Sequence, residues 1–291
     1  MKSAVIGIVG RPSAGKSTLL NRLCGAKISI VSPVPQTTRN RVRGILTRSE
    51  GQLVFMDTPG FHLSEKKVNR YLTDLVSVTL RDSDIVLYLV DGTRAFGAEE
   101  RALLEKLRST AKPTIVAINK CDNRGSFWKE IRAAIVQALP ETQLCEVSAL
   151  EGDGVDDLAA ALLAMAPEGD QLYPAEYYTD QDPEFRIAEI IREKAIAHTR
   201  AELPHALYVK LEDLEMRDEG AWLWVRGFIL VERESQKGIV VGRAGEKIRA
   251  IVREAEKDLA GIFPYAVKLD LRVKVDHDWR KRDTLLKRMI R

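Results

Sequence analysis

The stretch that decides the fold is Gly10 to Ser17, which reads GRPSAGKS in one-letter code. It follows the apolar run 4–9 and precedes 18–23, where leucines recur at helical spacing. Strand, glycine-rich turn and helix start in this order are typical of a phosphate-binding loop, in which backbone N–H groups surround phosphates at a helix N-terminus. The pattern predicts that Lys16 contacts the β- and γ-phosphates and that the Ser17 hydroxyl binds Mg²⁺. The predicted phosphate contacts of this loop are Gly10, Ser13, Ala14, Gly15, Lys16, Ser17 and Thr18.

The composition fits a globular protein of two ordinary domains. The chain has 291 residues, 45% of them hydrophobic, which is enough for substantial cores. Three cysteines without a C-x-x-C pair argue against a disulfide framework or a zinc site and favour a reducing cytosol. No signal-peptide pattern opens the sequence and no run reaches the ~18 apolar residues of a membrane span, so any membrane association is predicted to be peripheral. The net charge of +3 is too small to indicate a polyanionic partner by itself.

Downstream of the loop, apolar strand patterns alternate with helical patterns. Strands are predicted at 42–47, 52–57, 85–90, 114–118 and 144–147, and helices near 69–80, 99–107, 128–139 and 155–165. This alternation predicts an α/β domain with a mostly parallel sheet and one antiparallel edge pair. Ligands of such sheets bind beyond the carboxyl ends of the strands, and the next motifs fall there.

Asp57-Thr58-Pro59-Gly60 ends the second strand of the predicted 42–57 hairpin. A carboxylate at this strand end can stand near the metal, and the backbone N–H of Gly60 can approach the γ-phosphate. The tetrapeptide is a common turn on its own. About forty residues after a phosphate loop, it predicts a switch whose phosphate contact is lost on hydrolysis.

Asn119-Lys120-Cys121-Asp122 closes another predicted strand. The Asp122 carboxylate can accept hydrogen bonds from the N1–H and N2–H₂ of guanine, which adenine does not offer. Asn119 can donate to N7 and bridge to the phosphate loop. After the last strand, Ser148-Ala149-Leu150 can offer backbone N–H groups to the guanine O6. The predicted guanine-binding residues are Asn119, Lys120, Asp122, Ser148, Ala149 and Leu150.

In this order the motifs resemble those of the translation-factor-like GTPases. The resemblance aligns residues 35–39, PQTTR, with the first switch. It implies that Thr38 contacts Mg²⁺ and the γ-phosphate, with Thr37 as the alternative. The implied metal ligands are therefore Ser17, Thr38 and Asp57, and the implied switch residues are Thr37, Thr38, Asp57, Thr58, Pro59, Gly60 and Phe61.

Phe61 stands where Ras-like members have a glutamine that orients the attacking water, so we expect slow intrinsic hydrolysis. His62 is an alternative base, although a histidine in a loop is more often a solvated polar residue. Several relatives with a hydrophobic residue in place of the glutamine use K⁺, held partly by an asparagine at the position of Ser13. The shorter serine hydroxyl is a poorer ligand, which leaves a need for K⁺ open.

A second domain is predicted beyond an acidic, proline-containing join, which has the composition of a linker or of a strap across the domain surface. One helix is predicted at 186–199, and another is predicted to begin after the turn at 242–245 and to end at 259. Strands are predicted at 206–214, 222–231 and 267–275. The turn Gly242-Arg243-Ala244-Gly245 lies between an apolar segment and a basic helix start, where it would let a single-stranded nucleic-acid backbone approach closely. The arrangement resembles a type II KH domain.

The KH resemblance implies an RNA-binding surface on both sides of this turn. Its predicted members are Lys237, Gly238, Ile239, Val240, Gly242, Arg243, Ala244, Gly245, Lys247 and Arg249, with the apolar pair in the groove or the core. The tail, 279–291, holds six basic residues and is either a further RNA contact or a solvated helix.

A GTPase domain followed directly by a type II KH domain resembles the Era GTPase family over nearly the whole chain. The matching motifs are GRPSAGKSTLLN, QTTR, DTPGFH, NKCD and QKGIVVGRAGEKI. The predicted divisions are a GTPase domain at 1–167, an acidic linker at 168–184, a KH domain at 185–278 and a basic tail at 279–291.

The resemblance implies Mg²⁺-dependent hydrolysis of GTP to GDP and binding of the 3′ end of small-subunit rRNA during assembly of the 30S ribosomal subunit. It also implies a cytoplasmic protein that associates loosely with the inner face of the cell membrane, and we expect a monomer. Two other classes stay open from the residues alone. One is a nucleotide-dependent kinase with an added RNA module, and the other is a nucleotide-dependent RNA-binding scaffold with little or no catalysis, which Phe61 permits.

Overall fold

The structure is a computed structural model that describes residues 1–35, 37–62, 67–123, 125, 127–200, 202–277 and 279, without the side chains of 67–71. Contacts divide the chain into two compact units. Among the described residues, the first contains Met1–Ser29 and Thr38–Asp180, and the second contains Ile30–Thr37 and the chain from Gln181 to Trp279.

The first unit is built on a six-stranded sheet with the order β2-β3-β1-β4-β5-β6. The strands are β1 (Lys2–Val9), β2 (Val42–Thr47), β3 (Gly51–Asp57), β4 (Ile85–Asp91), β5 (Thr114–Asn119) and β6 (Gln143–Val147). In the described part of the chain, β2 pairs antiparallel with β3 and the other neighbours pair parallel. The prediction of an α/β domain with a mostly parallel sheet is confirmed.

In the described part of the first unit, four helices lie between these strands along the chain: α1 (Lys16–Cys24), α2 (Lys67–Asp82), α3 (Ala98–Thr110) and α4 (Trp128–Ala138). A fifth, α5 (Val155–Met165), follows β6. Every residue of β3 and β4 is buried, as expected for strands covered on both faces. On one side of the sheet, Val86 and Tyr88 of β4 pack with Leu103 of α3 and Ile131 of α4. The carboxyl ends of β1, β3 and β5 carry the predicted motifs, which places these motifs at the same end of the sheet.

The acidic linker predicted at 168–184 packs as a strap on the first unit up to Asp180. The backbone N–H of Ile45, on edge strand β2, donates to the Tyr178 carbonyl (2.9 Å), and Arg43 forms an ion pair with Asp180 (2.6 Å). The Gln52 side chain binds the backbone of Tyr173 through both its amide nitrogen and its oxygen. The strap therefore occupies hydrogen-bonding groups that an open sheet edge would expose.

The second unit is a three-stranded sheet packed against helices. Its elements are α6 (Pro183–Ala197), α7 (Leu203–Ala206), β7 (Tyr208–Arg217), β8 (Trp222–Val231), α8 (Glu234–Val241), α9 (Glu246–Ala260) and β9 (Ala266–Val275). The strand β8 lies between β7, its antiparallel neighbour, and β9, its parallel neighbour. Ile187, Ile229 and Ile251 lie in its core, and Ile30, from the loop that follows α1, is buried in the same cluster.

The segment before the Gly242–Gly245 turn is a helix, α8, whereas the sequence predicted only an apolar segment there without assigning it a secondary structure. Its N-terminus is capped by Gln236, whose side-chain oxygen accepts from the backbone N–H groups of Glu232 and Arg233 (2.9 and 3.0 Å). The helix has only eight residues, and Gln236 and Val240 are its buried members, so no apolar periodicity marks it.

Trp279, the first residue of the predicted basic tail, is buried in the second unit. Its ring lies 4.9 Å from that of Tyr208, and its indole N–H donates to the Ala206 carbonyl (3.0 Å). The rest of the tail, 280–291, lies outside the described residues. Over the residues that are described, we find no helix with the length and apolar character needed to span a membrane.

Candidate nucleotide and RNA sites

The phosphate loop joins β1 to α1 in a conformation that depends on Gly15. Gly15 has a φ of 97°, and a Cβ at this position would lie 2.3 Å from the amide nitrogen of Asn119. Lys16 is buried, and its ammonium group donates to the loop carbonyls of Gly10 (3.0 Å) and Arg11 (2.9 Å). Burial lowers the pKa of Lys16 to about 8, against the opposing effect of the Asp57 charge. The lysine side chain is therefore folded over the loop, where its ammonium group can contact bound phosphates.

An ion pair connects the same loop to helix α3. Nη1 of Arg11 lies 2.6 Å from Oε1 of Glu100 in the first turn of α3, and both side chains are largely buried. The other carboxylate oxygen of Glu100 accepts from the Gly97 N–H (2.9 Å), which caps α3. Sequence reasoning missed both roles, because Arg11 and Glu100 are far apart in sequence and Glu100, although close to Gly97, stands at no motif's fixed position.

The three predicted metal ligands come together at the end of β3. The Ser17 hydroxyl donates to Oδ2 of Asp57 (2.7 Å) and lies 3.0 Å from the Thr38 hydroxyl. Oδ1 of Asp57 is buried and has no hydrogen-bond partner among the described residues. Burial raises the pKa of Asp57, while Lys16, Ser17 and other donors oppose the rise. A cluster of hard oxygen ligands with an unsatisfied carboxylate oxygen fits Mg²⁺.

The structure distinguishes the two threonines of the first switch. The Thr37 hydroxyl donates to the Val34 carbonyl (2.6 Å), and the Thr37 carbonyl accepts from the buried Arg192 guanidinium (2.7 Å). Thr38 instead points its hydroxyl at Ser17. This geometry supports Thr38 as the metal contact. Gln36, in the same loop, lies outside the described residues.

The second switch begins with side chains that face the protein. The Thr58 hydroxyl donates to the Ile8 carbonyl (2.8 Å), and the Phe61 N–H donates to the Gly10 carbonyl (3.0 Å). The Phe61 ring is only 5% exposed and packs in the core beside Val9. It therefore offers nothing to a hydrolytic water. His62 pairs through Nδ1 with Oε1 of Glu99, which engages one ring nitrogen of the alternative base.

The guanine motif is tied to the phosphate loop by Asn119. Its side-chain N–H donates to the Ala14 carbonyl (2.8 Å), and its side-chain oxygen accepts from the Ala149 N–H (2.9 Å). Lys120 has a φ of 70° and forms an ion pair with Asp91 (2.7 Å). Asp122 is exposed in a short 3₁₀ turn after β5, where its carboxylate is open to a base.

Arg22 is a further residue of this site that sequence reasoning missed. From the last turn of α1, its Nε donates to the Ala149 carbonyl (3.4 Å) and its Nη2 donates to the Leu150 carbonyl. Ser148 caps the same loop, because its hydroxyl accepts from the Glu151 N–H (3.1 Å). The loop predicted to read guanine O6 is thus held by side chains as well as by its own backbone.

The predicted RNA site lies on helices α8 and α9 of the second unit and on the turn between them. Gly242 and Gly245, with φ of 74° and 75°, form the turn between α8 and α9, and Ala244 between them is also left-handed at 48°. The Arg249 guanidinium donates to the Ala244 carbonyl (2.8 Å) and so stabilises the turn. Ile239 is 48% exposed, whereas Val240 is fully buried in the core.

The basic residues surround the exposed turn. Arg243 is exposed on the turn itself, and Lys247 is half-buried in the first turn of α9. Lys237, on α8, lies 3.8 Å from Glu234. An exposed aliphatic side chain, a tight turn and nearby positive charge are the features that a KH-type groove needs.

The fold and the two sites define the class: a P-loop GTPase domain with a guanine-type base site, joined in one chain to a KH domain. Family models agree, since one described as "50S ribosome-binding GTPase" matches residues 5–120 and one described as "KH domain" matches 202–280. Among curated relatives, "GTPase Era" of Treponema denticola is 46% identical over 99% of both chains, and that of Borreliella burgdorferi is 43% identical over 100% of both. The chain belongs to the GTPase Era family.

Solved structures give the same result. A variant of Aquifex aeolicus Era bound to GDP·AlF₄⁻ matches with a TM-score of 0.94 and 34% identity over 99% of this chain and 98% of that one. Era in complex with MgGDPNP and nucleotides 1506–1542 of 16S ribosomal RNA matches with a TM-score of 0.93, at the same identity and coverage. The protein is accordingly a GTP-hydrolysing enzyme that uses Mg²⁺ and guanine nucleotides, which decides against the kinase alternative.

Proposed function

We propose that this GTPase acts in assembly of the 30S ribosomal subunit and binds the 3′ end of small-subunit rRNA through its KH domain. The observation that carries the proposal is the exposed, basic Gly242–Gly245 turn beside Ile239, in a chain whose fold matches an Era bound to such RNA. Single-stranded RNA is the ligand that this turn admits, because its glycines allow the backbone to approach closely.

The RNA proposal is tested by titrating labelled RNA that ends in the small-subunit rRNA 3′ sequence. Arg243→Asp combined with Ala244→Asp places two negative charges on the turn and is expected to weaken binding tenfold or more, on the order of 1–3 kcal/mol. Lys257→Asp, in the last turn of α9, is the matched control for a charge change on the same helix. Binding that is equally strong to a scrambled RNA, or unaffected by the turn variant, would contradict the proposal.

We further propose that hydrolysis is slow without a partner. Phe61 is buried and apolar, so no side-chain amide at this position orients the attacking water, and one ring nitrogen of His62 is engaged by Glu99. Single-turnover hydrolysis, measured with and without 30S particles, tests this timing role. A complete lack of turnover in both conditions would favour the scaffold alternative instead.

We also propose that the nucleotide state sets the availability of the KH groove. Thr37 and its neighbours from Ile30 belong to the second unit, where Arg192 holds the Thr37 carbonyl, and the next residue, Thr38, reaches Ser17 in the metal site. Ordering of Thr38 by Mg²⁺ and GTP would thus act on a segment that shares the KH core. Equal RNA affinity with a non-hydrolysable GTP analogue and with GDP would rule out the coupling.

For localisation, we propose that the protein works in the cytoplasm as a monomer and meets the inner face of the cell membrane only peripherally. Cell fractionation and sedimentation with lipid vesicles test this. Recovery in the membrane fraction after a high-salt wash would contradict peripheral attachment, and a dimer mass in solution would contradict the monomer.

A further inference from the structure

Ser29 is a buried residue of the metal site that the recognised motifs do not include. It lies in the loop that follows α1 and is only 2% exposed. Its hydroxyl donates to Oδ2 of Asp57 at 2.8 Å, beside the 2.7 Å bond that Ser17 donates to the same oxygen. Two O–H donors therefore converge on one oxygen of the carboxylate that ends β3.

Asn21 holds Ser29 in this position. Its side-chain oxygen accepts from the N–H groups of Ile28 (2.9 Å) and Ser29 (2.8 Å), and its side-chain nitrogen donates to the Ser29 carbonyl (2.8 Å). Asn21 stands one helical turn after Ser17 on α1, so both residues share one face of a rigid helix. The Ser29 backbone is thereby fixed relative to the phosphate loop.

This arrangement decides which oxygen of Asp57 faces the metal. Oδ2 has two lone pairs, and two hydroxyl donors occupy them. Oδ1 is buried and has no partner among the described residues, so it is the oxygen left to coordinate Mg²⁺ or to accept a hydrogen bond from a metal-bound water. Residues that orient a metal-binding carboxylate through hydrogen bonds typically contribute 10–100-fold to metal affinity.

We propose that Ser29, held by Asn21, is a positioning residue of the Mg²⁺ site. It keeps the Asp57 carboxylate in the one orientation that presents Oδ1 to the metal. The Ser29 hydroxyl donates to Asp57, so its role is to hold that carboxylate and not to bind the nucleotide or the metal directly. Its effect is therefore on the Mg²⁺-dependent part of nucleotide binding and not on the guanine or phosphate contacts.

The test uses the full-length protein and the fluorescent nucleotide mant-GDP. The rate of mant-GDP release is measured against Mg²⁺ concentration, with excess EDTA giving the metal-free rate. Ser29→Ala is expected to raise the half-saturating Mg²⁺ concentration about tenfold and to leave the release rate in EDTA unchanged. Asn21→Ala is expected to shift Mg²⁺ dependence in the same direction.

Ser83→Ala is the matched control. Ser83 is also 2% exposed, but its hydroxyl donates to the Leu80 carbonyl instead of a metal-site carboxylate. An unchanged half-saturating concentration in Ser29→Ala would overturn the proposal, as would an equal shift in Ser83→Ala or a release rate in EDTA that rises as much as the rate in Mg²⁺. If Ser29→Ala retains no nucleotide in EDTA, Ser29→Cys decides, since a thiol fills the site with a weaker donor. An unshifted Mg²⁺ dependence in that variant also overturns the proposal.

Discussion

Replacement of Glu100 by alanine should destabilise the phosphate loop and the first unit strongly. The Glu100 side chain is 4% exposed and the Arg11 side chain is 12% exposed, and their 2.6 Å contact joins α3 to the loop. Nε and Nη2 of Arg11 are buried without a partner among the described residues. Glu100 is therefore the residue that compensates the buried positive charge, and its removal leaves that charge unpaired.

The magnitude follows from two contacts. Breaking a buried ion pair by removing one partner costs about 3–5 kcal/mol, because an uncompensated charge stays in the interior. Loss of the Gly97 cap adds roughly 0.5–2 kcal/mol. At about 2–4 °C per kcal/mol for a unit of this size, we expect the Tm to fall by at least 6 °C.

The assay is thermal unfolding of the nucleotide-free protein, followed by GDP binding. Glu99→Ala is the matched control one residue away, since Glu99 contacts His62 at a more exposed position, where even a charged pair contributes only about 0–1 kcal/mol. Arg11→Met combined with Glu100→Leu should recover much of the loss, because no buried charge remains. If Glu100→Ala unfolds within 2 °C of Glu99→Ala, the ion pair does not stabilise the loop as argued.

Three further predictions concern the nucleotide site. Ser13→Asn should make GTP hydrolysis dependent on K⁺ over Na⁺ without loss of stability, because asparagine tolerates the φ of 63° at this position; equal rates in both salts, with Ser13→Ala as control, would contradict it. Asp122→Asn should weaken GTP binding at least a hundredfold in competition assays and favour xanthine nucleotides, because an amide nitrogen would face the guanine N–H donors. The pKa of Lys16 is lowered from 10.5 to about 8, so the unfolded chain binds more protons in this interval. The nucleotide-free protein should therefore gain stability from about pH 8 to 10 relative to Lys16→Met in denaturant titrations, and parallel pH profiles would refute this.

Much of the fold of both units could be predicted from the sequence because its signals are local. Trp222–Val231 and Val155–Met165 have the bounds that their apolar patterns predict. The acidic linker could be predicted only in part. Its composition indicated a linker or a strap, and only its hydrogen bonds with Ile45 and Gln52 show which strands it covers. Helix α8 escaped prediction because its glutamine cap and single buried valine form no periodic pattern.

The sequence by itself determined the chemistry of the nucleotide site. The phosphate loop, the guanine motif and the metal-binding carboxylate are each formed by a short segment at a strand end. Their residue types and spacing therefore suffice to predict the roles of Lys16, Asp57 and Asp122. Only the tertiary structure decided how these groups are held. The pairs Ser29–Asp57 and Arg22–Ala149 are 28 and 127 residues apart, and their hydrogen bonds exist only because the folded sheet brings separate loops to one edge. A local pattern cannot encode such contacts, since each partner alone is an ordinary polar residue.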